Sequence, residues 1–279
     1  MPDQTNNPTS PSIIAMTGQV IGLGVVCPFY CLLSYIHAPS TGLVIEPSQS
    51  SAIALLPALI LGFYIPTYAT LLWPDLYERQ GWLFVWQLFP AYISLAYHAI
   101  SYLLSHADKT RSKKTSSEQA ASPTSLQKLN HDLLVMRLCT GFSVLIGATS
   151  WIWTRYKTGS FAALAEILLP TANPSRLLPD LTAYSVQFLR WDEVFVFGSK
   201  LVWLAYLYAD VKRSSQLQHV SWLGLISCAA LTMISLGPGA TVGLGWLWRE
   251  EMLAKRLERD ALKLEVQAKV DALLKAHGA

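Results

Sequence analysis

Long apolar runs separated by short polar connections dominate the chain. They cover residues 13–36, 51–72, 81–104, 133–154, 191–209 and 220–236. Most approach the ~20 apolar residues that cross a hydrocarbon core as a helix. Gly237-Pro238-Gly239 then punctuates the sequence as a turn. A seventh apolar stretch follows within residues 238–254. Its uninterrupted part, residues 240–248, would make only about 14 Å of helix. Leu253, Leu257, Leu264 and Leu273 keep helical spacing in the charged sequence beyond it. The pattern predicts an all-α, polytopic membrane helical bundle of about seven transmembrane helices, with a charged cytosolic helix over residues 255–279. Pro28 is expected to kink the first span.

The connections differ in character. Residues 1–12 are polar and rich in Pro, Asn and Ser, and are expected to be disordered. They hold no Lys or Arg, so the basic region of a signal peptide is missing. Residues 105–130 read as a flexible basic loop. Residues 160–170 are apolar around Glu166 but too short to span, which suggests an interfacial or re-entrant helix.

Composition supports this picture. The chain is 52% hydrophobic and 14% charged, against roughly 25% charge in a soluble domain. A net charge of +3 over 279 residues gives no reason to expect nucleic acid as a partner. The four cysteines lie inside apolar runs and read as plain buried thiols. Seven spans put fourteen Lys and Arg on one side and five on the other. The basic side should be cytosolic, with the N-terminus lumenal and the endoplasmic reticulum as the expected membrane. No metal-ligand spacing, glycine-rich phosphate loop or Asp-rich diphosphate motif is present.

Charge inside apolar sequence directs the search for chemistry. Asp192 and Glu193 open the fifth span, and Lys200 follows seven residues later on the same helical face. The predicted topology brings Asp75 and Glu78 to the same side of the membrane. A desolvated carboxyl favours its neutral form and can serve as a Brønsted acid. Glu193 is the first candidate, tuned by Asp192, with Asp75 or Glu78 next and His98 as a relay. Pairing with Lys200 is the competing reading of Glu193, and complementing the dipole at the N-terminus of its own helix that of Asp192. Arg137 reads as a snorkelling side chain, and 249–251 as the exit from the membrane, unless the last helix sits deep and Glu250 or Glu251 faces the bundle. The ten Trp serve either as an interfacial belt or as a π-lined pocket for a cation. Trp203 and Tyr206 lie deep in the fifth span and are the stronger pocket candidates, with Trp86, Trp246 and Lys200 beside them.

Three stretches carry a family resemblance: Pro57-Ala58-Leu59-Ile60-Leu61-Gly62-Phe63-Tyr64-Ile65-Pro66, Trp191-Asp192-Glu193-Val194-Phe195, and Gly237-Pro238-Gly239-Ala240 leading to Trp246-Leu247-Trp248-Arg249-Glu250-Glu251. With the span pattern, they resemble the fungal integral-membrane terpene cyclases of meroterpenoid biosynthesis, of the macrophorin and ascochlorin types and more distantly the pyripyropene type. The resemblance covers most of residues 13–255. It implies an enzyme that protonates a terminal olefin or epoxide of a farnesyl chain on a polyketide and closes rings through carbocations. It implies no cofactor or metal, a hydrophobic prenylated substrate, and Glu193 or Asp192 as the acid. A small-molecule carrier and a non-catalytic pathway scaffold are the rival readings. The acids gather at one mouth, whereas a carrier needs a polar route across.

Overall fold

The computed structural model describes residues 11–37, 49–114, 125–171, 180–213 and 220–276. Among them every regular element is a helix. In chain order these are α1 (Pro11–Ile21), α2 (Leu23–His37), α3 (Gln49–Leu59), a π-helical turn (Ile60–Tyr64), α4 (Ile65–Leu72), α5 (Leu76–Gln87), α6 (Phe89–Lys114), α7 (Ser125–Thr158), α8 (Phe161–Leu168), α9 (Leu181–Arg213), α10 (Trp222–Leu236) and α11 (Pro238–Ala276). Residues 1–10, expected to be disordered, lie outside the described residues.

The all-α prediction holds, but the count of seven clean spans does not emerge. Among the described residues three helical stretches are individually long and apolar enough to cross a membrane: Ile53–Leu72, Leu133–Thr158 and Leu181–Arg213. A fourth is reached if α5 and α6 count as one span bent by 64°. Local chemistry explains the shortfall. Gly22 adopts φ +107°, which ends α1 and starts α2; the helix then continues through Pro28. Pro90 lacks an N–H and crowds the carbonyl four residues back, so the helix breaks at Leu88. Gly237, at φ +89°, separates α10 from α11. Pro66 is accommodated by the π turn, where Ile65 N–H reaches back to the Ile60 carbonyl.

Other boundaries also shift. The basic segment 105–130 is helical to Lys114 and again from Ser125. The fifth apolar run belongs to a longer helix that starts at Leu181, capped by Asp180, which accepts from Ala183 N–H at 2.8 Å. Helix α11 continues without a break through the charged tail.

Contacts fix the helix directions. Along α2 and α9, Gly24 meets Asp192, Cys27 meets Val196, and Tyr35 meets Tyr206, so the two run parallel. Along α9 and α11, Gly239 faces Phe197 and Tyr208 donates to the Gly245 carbonyl at 2.6 Å, again parallel. Helix α7 opposes α11: Gly243 faces Val144, and Glu251 pairs with Arg137. The best-buried cluster, Leu204, Tyr208, Val211 and Leu253, sits where α9 meets α11. Elsewhere large apolar side chains such as Val20, Phe84, Leu95 and Leu223 point outward, as an apolar surrounding medium permits.

Candidate functional site

The site is built on α2, α9 and α11. Gly22 ends one helix and has no side chain with which to cap the next. Asp192 supplies that cap from α9, its Oδ1 accepting from Gly24 N–H at 2.6 Å. The approach is close because Gly24 lacks a Cβ; one built there would lie 2.8 Å from the Asp192 backbone. Asp192 therefore stabilises the N-terminus of α2, not of its own helix. Glu193, the next residue, is half-buried. Among the described residues it makes no hydrogen bond or ion pair, with Lys200 or any other group.

About two turns further along, α2, α9 and α11 line an open-sided cavity of about 240 Å³. Its lining is Tyr30 and Cys31 from α2, Lys200 and Trp203 from α9, and Val242, Gly243 and Trp246 from α11. Three of the residues singled out in the sequence thus share one wall-to-wall space. The Lys200 ammonium leans back over the Phe197 ring, 6.0 Å from its centroid, in the N-terminal direction that helix side chains take. The Cys31 sulfur stands 3.9 Å from that of Cys27, one turn earlier on α2. Cys139 is also buried, whereas Cys228 is exposed on α10.

The remaining predicted residues lie elsewhere. Asp75 caps α5, accepting from Tyr77 and Glu78 N–H at 2.8 and 3.0 Å. Glu78 accepts from the Trp73 indole and lines a separate, somewhat more open depression of about 590 Å³ with Tyr77, Trp82 and Val85. His98 is exposed on α6, its ring packed edge-on to Tyr97. Trp86 donates to Thr67 Oγ1 at 3.0 Å and packs on Phe89. Tyr206 is 55% exposed and packs on Tyr35, outside the cavity.

Three charged residues have partners that the sequence did not identify. Arg249 and Glu250, taken as the membrane exit, are fully buried and form an ion pair beside the Tyr208–Leu253 cluster. Arg137, taken to snorkel, grips Glu251 through two nitrogens, with Nη2 to Oε2 at 2.8 Å. A charge within an otherwise helical leucine spacing was the available signal for both. Among the described residues no cluster of His, Cys, Asp and Glu has metal-ligand geometry.

Comparison with known proteins gives this geometry a context. The CtvD domain matches residues 3–254. The chain belongs to the CtvD-domain family. One family relative is the terpene cyclase ctvD of Aspergillus terreus, 26% identical over 265 residues, which cover 88% of this chain and 69% of that protein. Another is the FAD-dependent monooxygenase verC1 of Penicillium polonicum, 33% identical over 264 residues, 91% of this chain but 30% of the relative. The FAD-dependent monooxygenase anuJ of Penicillium roqueforti is 27% identical over 86% of this chain and 28% of its own length. The chain thus spans under a third of the two monooxygenases, and their names describe polypeptides much longer than the shared CtvD region. No solved structure matches the chain.

Proposed function

We propose that this CtvD-domain protein is a membrane-embedded terpene cyclase that opens an epoxide or protonates an olefin on a farnesyl-bearing meroterpenoid and closes rings through carbocations. The observation that carries this reading is the cavity between α2, α9 and α11, walled by the Trp203 and Trp246 indoles. Ring faces favour a nearby cation by about 0.5–2 kcal/mol each. At about 240 Å³, the cavity falls below the ~300–1,000 Å³ of a typical ligand site. It would therefore take one part of an extended substrate, whose epoxide would reach Glu193 about 10 Å from Lys200 along α9, and leave the remainder to the surrounding bilayer. The name and coverage of the Aspergillus terreus relative support the same activity.

The epoxide is the better-supported starting point. Relatives that carry the CtvD region within a much longer chain are named as FAD-dependent monooxygenases, and flavin monooxygenation of an olefin yields an epoxide. In the proposed step Glu193 gives its proton to the epoxide oxygen as the C–O bond breaks. The electrons of a neighbouring double bond close the ring, and a base removes the last proton. Glu193 is chosen because it is half-buried and unpaired among the described residues, whereas Asp192, Asp75 and Glu78 are each engaged in a hydrogen bond. The chain would thread the endoplasmic reticulum membrane seven times, with α1–α2, α9 and the start of α11 running in one direction and the basic C-terminus in the cytosol. The parallel packing of α2, α9 and α11, with α7 opposed, supports that alternation.

Membranes containing the protein, supplied with an epoxidised farnesyl-polyketide, should produce a cyclic isomer of unchanged mass. Glu193→Gln should lower turnover by about 100-fold or more, the range of a lost general acid. Full turnover in that variant would remove Glu193 from the mechanism, and no isomer from any such precursor would remove the cyclase reading.

A further inference from the structure

Two of the four cysteines meet on one helix beside the cavity. Cys27 and Cys31 lie one turn apart on α2, both buried, with their sulfurs 3.9 Å apart. Their surroundings differ. Cys31 forms part of the cavity lining, together with Lys200. Cys27 packs against α9, where its thiol donates to the Val196 carbonyl at 3.9 Å. That direction leaves the Cys27 lone pairs to receive the Cys31 thiol. Pro28 stands between the two and has no N–H, so the Gly24 carbonyl lacks the donor that residue 28 ordinarily supplies. The turn that carries both cysteines is therefore short of one helix hydrogen bond.

We propose that Cys27 and Cys31 form an oxidisable dithiol whose co-reactant is a hydroperoxide. The site does not depend on the reaction proposed above. Cys31 reacts first, because it borders the open-sided cavity. Its sulfur attacks the hydrogen-bearing peroxide oxygen, the O–O bond breaks, and the thiol proton goes to the departing oxygen. Cys31 becomes a sulfenic acid, and the hydroperoxide becomes an alcohol, or water where it is hydrogen peroxide. The thiolate is the attacking form, and Lys200 offers positive charge to one that forms in the shared lining. Cys27 then attacks the Cys31 sulfur. The S–O bond breaks, hydroxide leaves as water with the Cys27 proton, and a disulfide remains. Two hydrogens and two electrons have passed from the thiols to the peroxide. Residues four apart on a helix hold their Cβ atoms about 5–6 Å apart, whereas a disulfide takes about 3.5–4.5 Å. The turn must tighten, and the bond missing at Pro28 is where α2 can give. The sulfurs close by about 2 Å, which moves the cavity wall at Cys31. A disulfide formed against such resistance is readily reopened by a dithiol.

The test counts thiols in the full chain in lipid nanodiscs. One sample is treated with hydrogen peroxide and another with cumene hydroperoxide, which partitions into the bilayer. After denaturation and maleimide labelling, untreated protein should carry four labels and oxidised protein two, with Cys139 and Cys228 still labelled. The unlabelled mass should fall by two hydrogens, the loss should map to the peptide that holds Cys27 and Cys31, and dithiothreitol should restore all four labels. Oxidation by hydrogen peroxide assigns an aqueous source, and oxidation by cumene hydroperoxide alone assigns a source within the bilayer; either supports the dithiol. Cys27→Ser removes the resolving thiol, so oxidation should stop at a Cys31 sulfenic acid that dimedone captures. Cys31→Ser should form no disulfide. Four labels retained under both oxidants overturn the proposal on the unaltered protein, without reliance on any variant's folding. So does a disulfide that maps to Cys139 or Cys228, and so does a disulfide that still forms in Cys31→Ser. The cyclase reading fails or stands separately, since no step of the thiol count requires turnover.

Discussion

Replacing Asp192 tests the joint on which the site is built. Its carboxylate caps α2 from another helix through the 2.6 Å bond to Gly24 N–H. Loss of a helix cap costs about 0.5–2 kcal/mol, and a hydrogen bond to a charged group contributes about 1.5–3 kcal/mol. Polar contacts between helices in bilayers average less, about 0.6 kcal/mol, because the unfolded reference also finds partners. These bounds give a loss of about 1–2 kcal/mol for Asp192→Ala. Asp192→Asn keeps an oxygen at the same reach and should lose about 0.5 kcal/mol, only the charge-assisted part. Thermal unfolding in detergent, followed by tryptophan fluorescence, ranks the three proteins, with turnover measured alongside. The order should be native, Asn, Ala, with most turnover kept in the Asn variant. Native-like stability in Asp192→Ala would refute the capping argument. Full stability with lost turnover in Asp192→Asn would move Asp192 from a structural to a chemical role.

Two further outcomes follow from the geometry. Gly237→Ala should lose about 2 kcal/mol or more in the same unfolding measurement. Its backbone, at φ +89° and ψ 166°, lies in a region that strains any other residue by about 1–3 kcal/mol, and a Cβ would stand 2.8 Å from the Trp151 ring; a native-like midpoint would refute the constraint. A double-mutant cycle on Arg137→Met and Glu251→Gln should give a coupling of about 0.5–1 kcal/mol, modest because the two side chains are 48% and 24% exposed. A coupling of zero would mean that the pair does not tie α11 to α7.

Much of the helical layout was legible because an apolar run announces itself within one segment. Its interruptions were less legible, because they are set by distant partners. Pro28 drew attention as the site of a kink, whereas the break in the first run falls at Gly22 and α2 continues through Pro28. Nothing near Gly22 shows that the side chain completing that break stands 168 residues beyond Gly24. Pro90 was visible inside the third run, and the helix does divide beside it. The site was legible in part for the same reason. Lys200, Trp203 and Trp246 are polar or aromatic side chains on inward faces, and periodicity locates such faces. Asp75 and Glu78 shared a predicted membrane side with Glu193, but a shared side is not a shared cavity. Hydrogen bonds made locally, by Asp75 to its own helix and Glu78 to Trp73, account for both carboxyls.

The three charges at 249–251 show why a charge run is weak evidence of a membrane boundary. Successive helix positions point about 100° apart, so the three cannot share one environment. Arg249 and Glu250 are enclosed beside Tyr208, Val211 and Leu253, while Glu251 turns to Arg137 on α7. Above them α11 comes close to its neighbours through glycine: a Cβ at Gly243 would collide with Val144, and one at Gly245 with Leu204. Helix α11 is thus held from two sides by backbone-close packing and, lower down, by charge. Trp246 lies between these fastenings, on the cavity wall. A wall fixed at several points cannot move inward to fill the space beside Trp203 and Lys200. The opening is therefore a consequence of how α11 is seated, and its volume should persist when no ligand occupies it.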